Sequence, residues 1–351
     1  MNILLIYILL LLTITTSNAL PIFAKKYNIS CVSCHTKPPA LNKTGKLFMR
    51  NGFKLSKSEE TSFSLLKKKS FADKKIPLDV LFVGIHDKDN NKDHLMRKVK
   101  MHLGGSITDS LSFLGFISTG WFKNTSEIDD RVFDDKTSMY YFQYQAEDSN
   151  SVFRVGSMFP LAQFGEIRRA QRFAPFIGRY KKPSNFVNLK KIKGIEYSHY
   201  LNDILFLANY GHTVGKEKEE VNLGVNYSYN SIVNFGILYN KYISQESFLF
   251  PVEIDINNIT INSTLFYNKT KDFRGLENTL IYQLKSMQQI RVMLNTDNKE
   301  NNAFTLEYNK IFSPTNGITF QYTISASRIE KLKNNKINND DLYQLSAILA
   351  F

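Results

Sequence analysis

"VNLGVNYSYNSIVNFGILY", running from Val221 to Tyr239, decides how this chain folds. Val221, Leu223, Val225, Tyr227 and Tyr229 take alternate positions, with Asn222, Gly224, Asn226 and Ser228 between them. After a turn at 229–231 the pattern resumes with Val233, Phe235, Ile237 and Tyr239. Successive side chains of a strand point to opposite faces, so this is a hairpin with one apolar face and one small or polar face.

The same period recurs along the chain. Leu111, Phe113, Gly115, Ile117, Thr119 and Trp121 share a face, and Ile318, Phe320, Tyr322 and Ile324 alternate with Thr319, Gln321 and Thr323. Strands of about 10 residues, apolar outward and polar inward, are the signature of a barrel closed in lipid. A soluble sandwich also alternates, but three features favour the barrel. The 27 Phe and 18 Tyr supply aromatic girdles. Short turns alternate with longer loops. The last strand places Tyr343, Leu345, Ala347, Leu349 and Phe351 on one face, and its terminal Phe resembles the signal read by the barrel assembly machinery of outer membranes.

Short turns are expected near 105–109, 146–150, 200–203, 229–231, 256–258, 285–288 and 312–316. Longer loops are expected near 87–93, 123–136, 160–192, 212–219, 241–246, 269–273, 296–302 and 329–340. These junctions join about 16 strands with both ends on the periplasmic side, an even number as closure requires. If Pro251 interrupts the segment 246–256, the number falls to 14. The expected fold class is all-β, a transmembrane antiparallel barrel over 76–351 with a small N-terminal segment plugging its lumen.

The front of the chain is different. Met1 to Leu12 is apolar and Ser17-x-Ala19 follows, so 1–19 reads as a secretory signal peptide. Residues 58–75 read as a charged linker, and 20–57 as a small segment broken by prolines and glycines, with one short helix from Lys43 to Phe53. The net charge of +13 is concentrated. Residues 20–75 carry 13 cations against three acids, and 160–193 carry nine against one. An exported chain with no nucleic-acid motif excludes that class of partner.

Both cysteines of the chain lie in 20–57, as Cys31-Val32-Ser33-Cys34-His35. Cys-x-x-Cys-His is the attachment signature of a c-type haem. Two thiols add to the porphyrin vinyl groups, and the adjacent imidazole of His35 becomes the proximal ligand of the iron. A redox dithiol would want a βαβ scaffold. Zinc would want two more ligands, and 36–85 contains neither His nor Cys. A disulfide with an incidental His is the remaining rival. The candidate cofactor is one covalent haem c, with Met49 as a candidate distal ligand and His86, His94 and His102 as alternatives near the first barrel strands.

With these residues in view, the stretch resembles the outer-membrane fused monohaem cytochrome–porin family, which includes ferrous-iron-oxidising members. Pro21, Phe23 and Ala24 match its first element. Cys31, Cys34, His35 and Thr36 match its haem motif. Pro39, Leu41, Gly45, Phe48 and Gly52 match its tail, where Phe53 replaces a Tyr. The resemblance implies electron transfer in the bacterial outer membrane, from an extracellular reductant such as Fe(II) to a periplasmic c-type cytochrome. The acidic run Glu127, Asp129, Asp130, Asp134 and Asp135 offers hard oxygen ligands for such a donor. The alternative expectation is a diffusion channel for anions or small solutes, selected by the basic run at 168–182, with the front segment as a structural plug.

Overall fold

The computed structural model describes residues 23, 27, 34–37, 40–41, 43–55, 78–89, 93–118, 122–123, 138–146, 150–158, 191–214, 218–230, 232–285, 288–298, 302–312, 319–333 and 336–350. The signal segment, the linker, the acidic and basic runs of two loops, and Phe351 lie outside them.

The small N-terminal segment contains strands β1 (His35–Lys37) and β2 (Ala40–Leu41), paired antiparallel, and helix α1 (Lys43–Arg50). The barrel begins with β3 (Leu78–Asp89), β4 (Asp93–Ser106), β5 (Leu111–Ser118) and the stub β6 (Phe122–Lys123). It continues through β7 (Met139–Gln145), β8 (Ser151–Met158), β9 (Ile192–Leu201), β10 (Ile204–Thr213) and β11 (Glu219–Tyr229). Next come β12 (Val233–Tyr242), β13 (Gln245–Ile256), β14 (Ile259–Asn268) and β15 (Phe273–Lys285). The last four are β16 (Gln288–Asp297), β17 (Asn302–Phe312), β18 (Thr319–Lys333) and β19 (Lys336–Ala350).

Each long strand pairs antiparallel with the next, and β19 returns to β3 from Ala350↔Leu81 to Leu342↔Asp89. The stub β6 only touches β4, so β5 and β7 pair directly. Among the described residues this makes a closed barrel of 16 strands of seven residues or more. Closure matters because it satisfies every strand's backbone donors and acceptors without an open edge, the condition for a sheet to cross lipid.

The faces are inverted relative to a soluble protein. On β11 and β12, Leu223 is 48% and Ile237 54% exposed, whereas Asn222 is fully buried and Asn240 only 4% exposed. The apolar face therefore looks out to lipid and the polar face into the lumen, as the alternation predicts. Outward aromatic pairs lie near both ends of the wall. Tyr227 and Phe235 sit 5.3 Å apart near the turn end, and Tyr239 and Phe248 5.4 Å apart near the loop end.

Four expectations need correction. The loop end is not uniformly long: β12 and β13 are joined through 243–244 and β18 and β19 through 334–335, two residues each. Beyond the lipid, strands with polar side chains on both faces can continue into water, because the ladder still satisfies their backbone. The polar stretch 329–340, expected as a loop, is therefore mostly strand. Pro251 does not break β13. Its pairing with β14 runs through Pro251↔Thr264, and only the ladder to β12 lapses, opposite Gly236 and Ile237. Proline lacks one donor, so it interrupts one side of a strand and spares the other. The helix also ends earlier than Phe53, at Arg50, where the chain turns with Asn51 N donating to Leu47 O and Phe53 N to Phe48 O.

Candidate functional site

Strands β5, β7 and β8 lack a clean polar face. On β5 both Leu111 and Phe113 look outward, yet Leu114 and Phe116 look inward. Tyr141, Met139 and Met158 do the same on β7 and β8, and Ile192 on β9. An apolar inner wall in an aqueous lumen would be unfavourable unless something covered it. The N-terminal segment covers it.

Tyr27, Phe48, Phe53 and Leu55 pack with Leu114, Tyr141, Met158 and Ile192 in one buried cluster, with Phe23, Met49, Phe116 and Met139 against its margin. The rings interlock. Phe23 stacks on Phe53 at 5.0 Å and meets Phe48 edge-on at 5.0 Å, while Tyr27 meets Phe48 edge-on at 5.5 Å. Such pairs add about 0.5–1.5 kcal/mol each to the burial of the rings themselves.

The turn after α1 is held in an unusual backbone conformation. Gly52 and Phe53 both have φ near +65° (66° and 65°). At Gly52 the positive φ favours glycine, and a Cβ would come within 2.8 Å of Ser112 Oγ and 3.1 Å of Ser112 Cβ on the barrel wall. At Phe53 a bulky residue is an outlier. It is held there by burial to 3% exposure, by the stack on Phe23, and by the Tyr27 hydroxyl, which donates to the Phe53 carbonyl at 2.8 Å.

Polar contacts seat the same segment on the wall. Gln143 Nε2 donates to the Met49 carbonyl at 3.0 Å, and Gln145 Nε2 to Asn51 Oδ1 at 3.3 Å. Lys54 Nζ reaches the carbonyl of Thr108 at 2.8 Å and Asp109 at 3.2 Å. Thr108 and Asp109 belong to the β4–β5 turn, so the segment enters at the turn end and rises along the inner face of β4 to β9.

Of the motif residues, Cys34 is half-buried. Cys31 and the side chains of His35, His86 and His94 lie outside the described residues. Met49 is brought to the aromatic cluster on α1. His102 is buried against Phe116, with ring centroids 4.4 Å apart. The seat itself, above all Gln143, Gln145, Leu114 and Tyr141, escaped the sequence reading. Its signal was present in "LSFLGFIS" and "MYYFQYQ", strands apolar on both faces, as strands covered on both sides are.

The rest of the wall is polar. One cross-strand row passes from Gln143 through Arg154, Glu196, Asn209 and Asn222 to Asn240. Within it Arg154 Nε donates to Glu196 at 2.8 Å, and Nη2 donates to the same oxygen. The guanidinium also lies 4.9 Å over the Tyr141 ring. Asn222 donates to Asn209 and Asn240 to Asn222, each at 2.8 Å. Further round, the fully buried Arg291 meets Glu307 at 2.9 Å.

No family model and no curated protein matches the chain. Solved structures do. A triple-substituted Rhodopseudomonas blastica porin is 8% identical with a TM-score of 0.53, and a double-substituted form of that organism's porin is 8% identical with a TM-score of 0.55. A structure described as showing asymmetric conductivity of engineered proteins is 9% identical with a TM-score of 0.54. Each match covers 79% of this chain and 100% of the other. The fold is that of a porin-like transmembrane barrel. At such identities the likeness speaks for the fold alone, and these comparisons reveal no relationship to a fused cytochrome.

Proposed function

We propose that this protein is an outer-membrane electron conduit, a monohaem c-type cytochrome segment fused to a barrel. In this reading it passes electrons from an extracellular donor, Fe(II) being the first candidate, to a periplasmic c-type cytochrome. The carrying observation is that the stretch directly after Cys31-Val32-Ser33-Cys34-His35 is seated inside the lumen, on an inner wall made apolar to receive it. A bilayer core is an insulator, so a redox centre that serves both sides must sit within a protein channel.

The residues fit the group. Cys31 and Cys34 have the spacing of thioether attachment with His35 adjacent, and Tyr27, Phe48 and Phe53 of the same N-terminal segment are buried aromatic side chains. Cys31 and Cys34 would hold the haem covalently, His35 would ligate its iron from the proximal side, and Met49 is the candidate on the distal side. A haem bound there supplies a one-electron redox centre. The chain's own part is to tether it, exclude water with Phe48 and Phe53, and fix its depth through the Gln143 and Gln145 bonds.

The second reading is a diffusion channel for anions or small solutes, favoured by the porin-like fold. Liposomes enclosing oxidised cytochrome c separate the two. Reduction of the enclosed cytochrome by external Fe(II) without leakage of solutes supports the conduit. Permeation of sugars or anions without reduction supports the channel.

A further inference from the structure

A buried charge pair stands beside the seat of the plug. Arg154 on β8 faces the lumen between Gln143 on β7 and Glu196 on β9 in the register. Its neighbour Gln143 holds the Met49 carbonyl at 3.0 Å. Its own guanidinium lies 4.9 Å over the ring of Tyr141, a member of the cluster on which the plug sits. Arg154 Nε donates to Glu196 Oε1 at 2.8 Å, with Nη2 on the same oxygen. The two side chains are 5% and 1% exposed.

Stability alone does not call for such a pair. Two charges taken out of water lose about as much in hydration as they regain from each other, and well-packed apolar side chains would serve the wall as well. What the pair supplies, and apolar residues do not, is an electric field of fixed direction. The cation is the member against Tyr141 and Gln143, and the carboxylate belongs to the next strand, about 5 Å further from them. Away from water such a field is weakly screened. A guanidinium also keeps its charge at every working pH, so the field is permanent.

We propose that Arg154 and Glu196 set the redox potential of the centre carried by the front segment, with Arg154 as the near, electropositive member and Glu196 as the residue that fixes its aim. This rests on the haem reading of Cys31, Cys34 and His35. Oxidation of a haem iron adds one positive charge, so a pair with its cation toward the plug opposes oxidation and raises the potential. Axial ligands fix the broad range of such a centre, and its buried surroundings move it within that range. Arg154 and Glu196 are not ligands in this reading; they act through the field.

The test is a spectroelectrochemical titration of the haem band in the purified full chain. Glu196→Gln removes the negative charge opposite the guanidinium and should shift the midpoint potential upward. Arg154→Met with Glu196→Leu removes the pair and should shift it below that of the parent. This double variant keeps the wall neutral, so it serves as the test on its own if Glu196→Gln fails to fold. Arg154→Lys keeps the charge and should return a potential near the parent's. Retained heat-modifiable migration shows that a variant folds. A pair with a merely structural role would expose 43–55 to protease in these variants and leave the potential where it is, which would overturn the proposal. Shifts in the reverse order would overturn it too. A colourless parent would overturn the haem reading together with this one, whereas a coloured parent with unmoved potentials in its variants overturns this one alone.

Discussion

The side-chain amide of Gln143 reaches across the lumen wall to the backbone carbonyl of Met49, 3.0 Å away and 94 residues earlier in the chain. It is one of several contacts that tie the N-terminal segment to the barrel. Gln143 is 2% exposed and sits on the inward face of β7, between Ser112 and Arg154 in the register. Replacing it with Leu removes the donor to a part-buried carbonyl, at a cost of about 1 kcal/mol. The expected outcome is faster protease cleavage within 43–55 and unchanged heat-modifiable migration of the barrel. Equal protease resistance in both proteins would show that the seat does not depend on this contact.

Phe48 is 6% exposed at the centre of the plug cluster. Phe48→Ala should weaken the docking of the segment by about 3–5 kcal/mol, the usual cost of emptying an aromatic site. Hydrogen exchange over 43–55 should rise sharply while β11 to β16 keep their protection. An equal rise in the far wall would mean that the plug and the barrel unfold as one unit.

The lipid side of the wall is open to a direct trial. Ile237→Arg puts a charge on the outward face of β12 and should destabilise the barrel by about 2–4 kcal/mol if the position is near mid-membrane. Asn240→Ala, on the opposite face of the same strand, removes two lumen hydrogen bonds, to Asn222 and Glu220, and should cost about 1–3 kcal/mol. Urea unfolding in lipid vesicles measures both, and unchanged stability in Ile237→Arg would overturn the assignment of faces.

Arg291 and Glu307 form an ion pair with side chains 0% and 1% exposed. Glu307→Gln removes the negative charge opposite a buried guanidinium and should cost about 3–5 kcal/mol, whereas Arg291→Met with Glu307→Leu removes both charges and should cost much less. Thermal unfolding of the single and double variants decides this. A double variant weaker than Glu307→Gln would show that the pair stabilises the wall beyond compensating its own desolvation.

Cys34→Ala should abolish covalent haem staining while leaving a barrel that migrates normally when unheated. Cys31→Ala should do the same. Covalent haem persisting in both variants would reject the attachment reading without touching the fold.

The period of two in segments such as Val221 to Tyr239 marks the strands, and with the aromatic residues and the alternating junctions it points to a barrel. Alternation of side chains is a local property of an extended backbone, and the lipid requirement then assigns the apolar face outward. The positions of all 15 junctions could also be read along the chain, because turn residues punctuate strands locally. Loop lengths could not, since whether 329–340 leaves the wall or extends it depends on cross-strand ladders that only pairing supplies. The same is true of Pro251, whose missing donor matters on one side and not the other. The seat of the plug was decided by tertiary structure alone. Gln143 reads in isolation as one more polar lumen residue, and Leu114 and Tyr141 as irregularities in a pattern. Their role depends on a carbonyl and a set of rings that arrive from a distant part of the chain, and no local rule relates positions 94 residues apart.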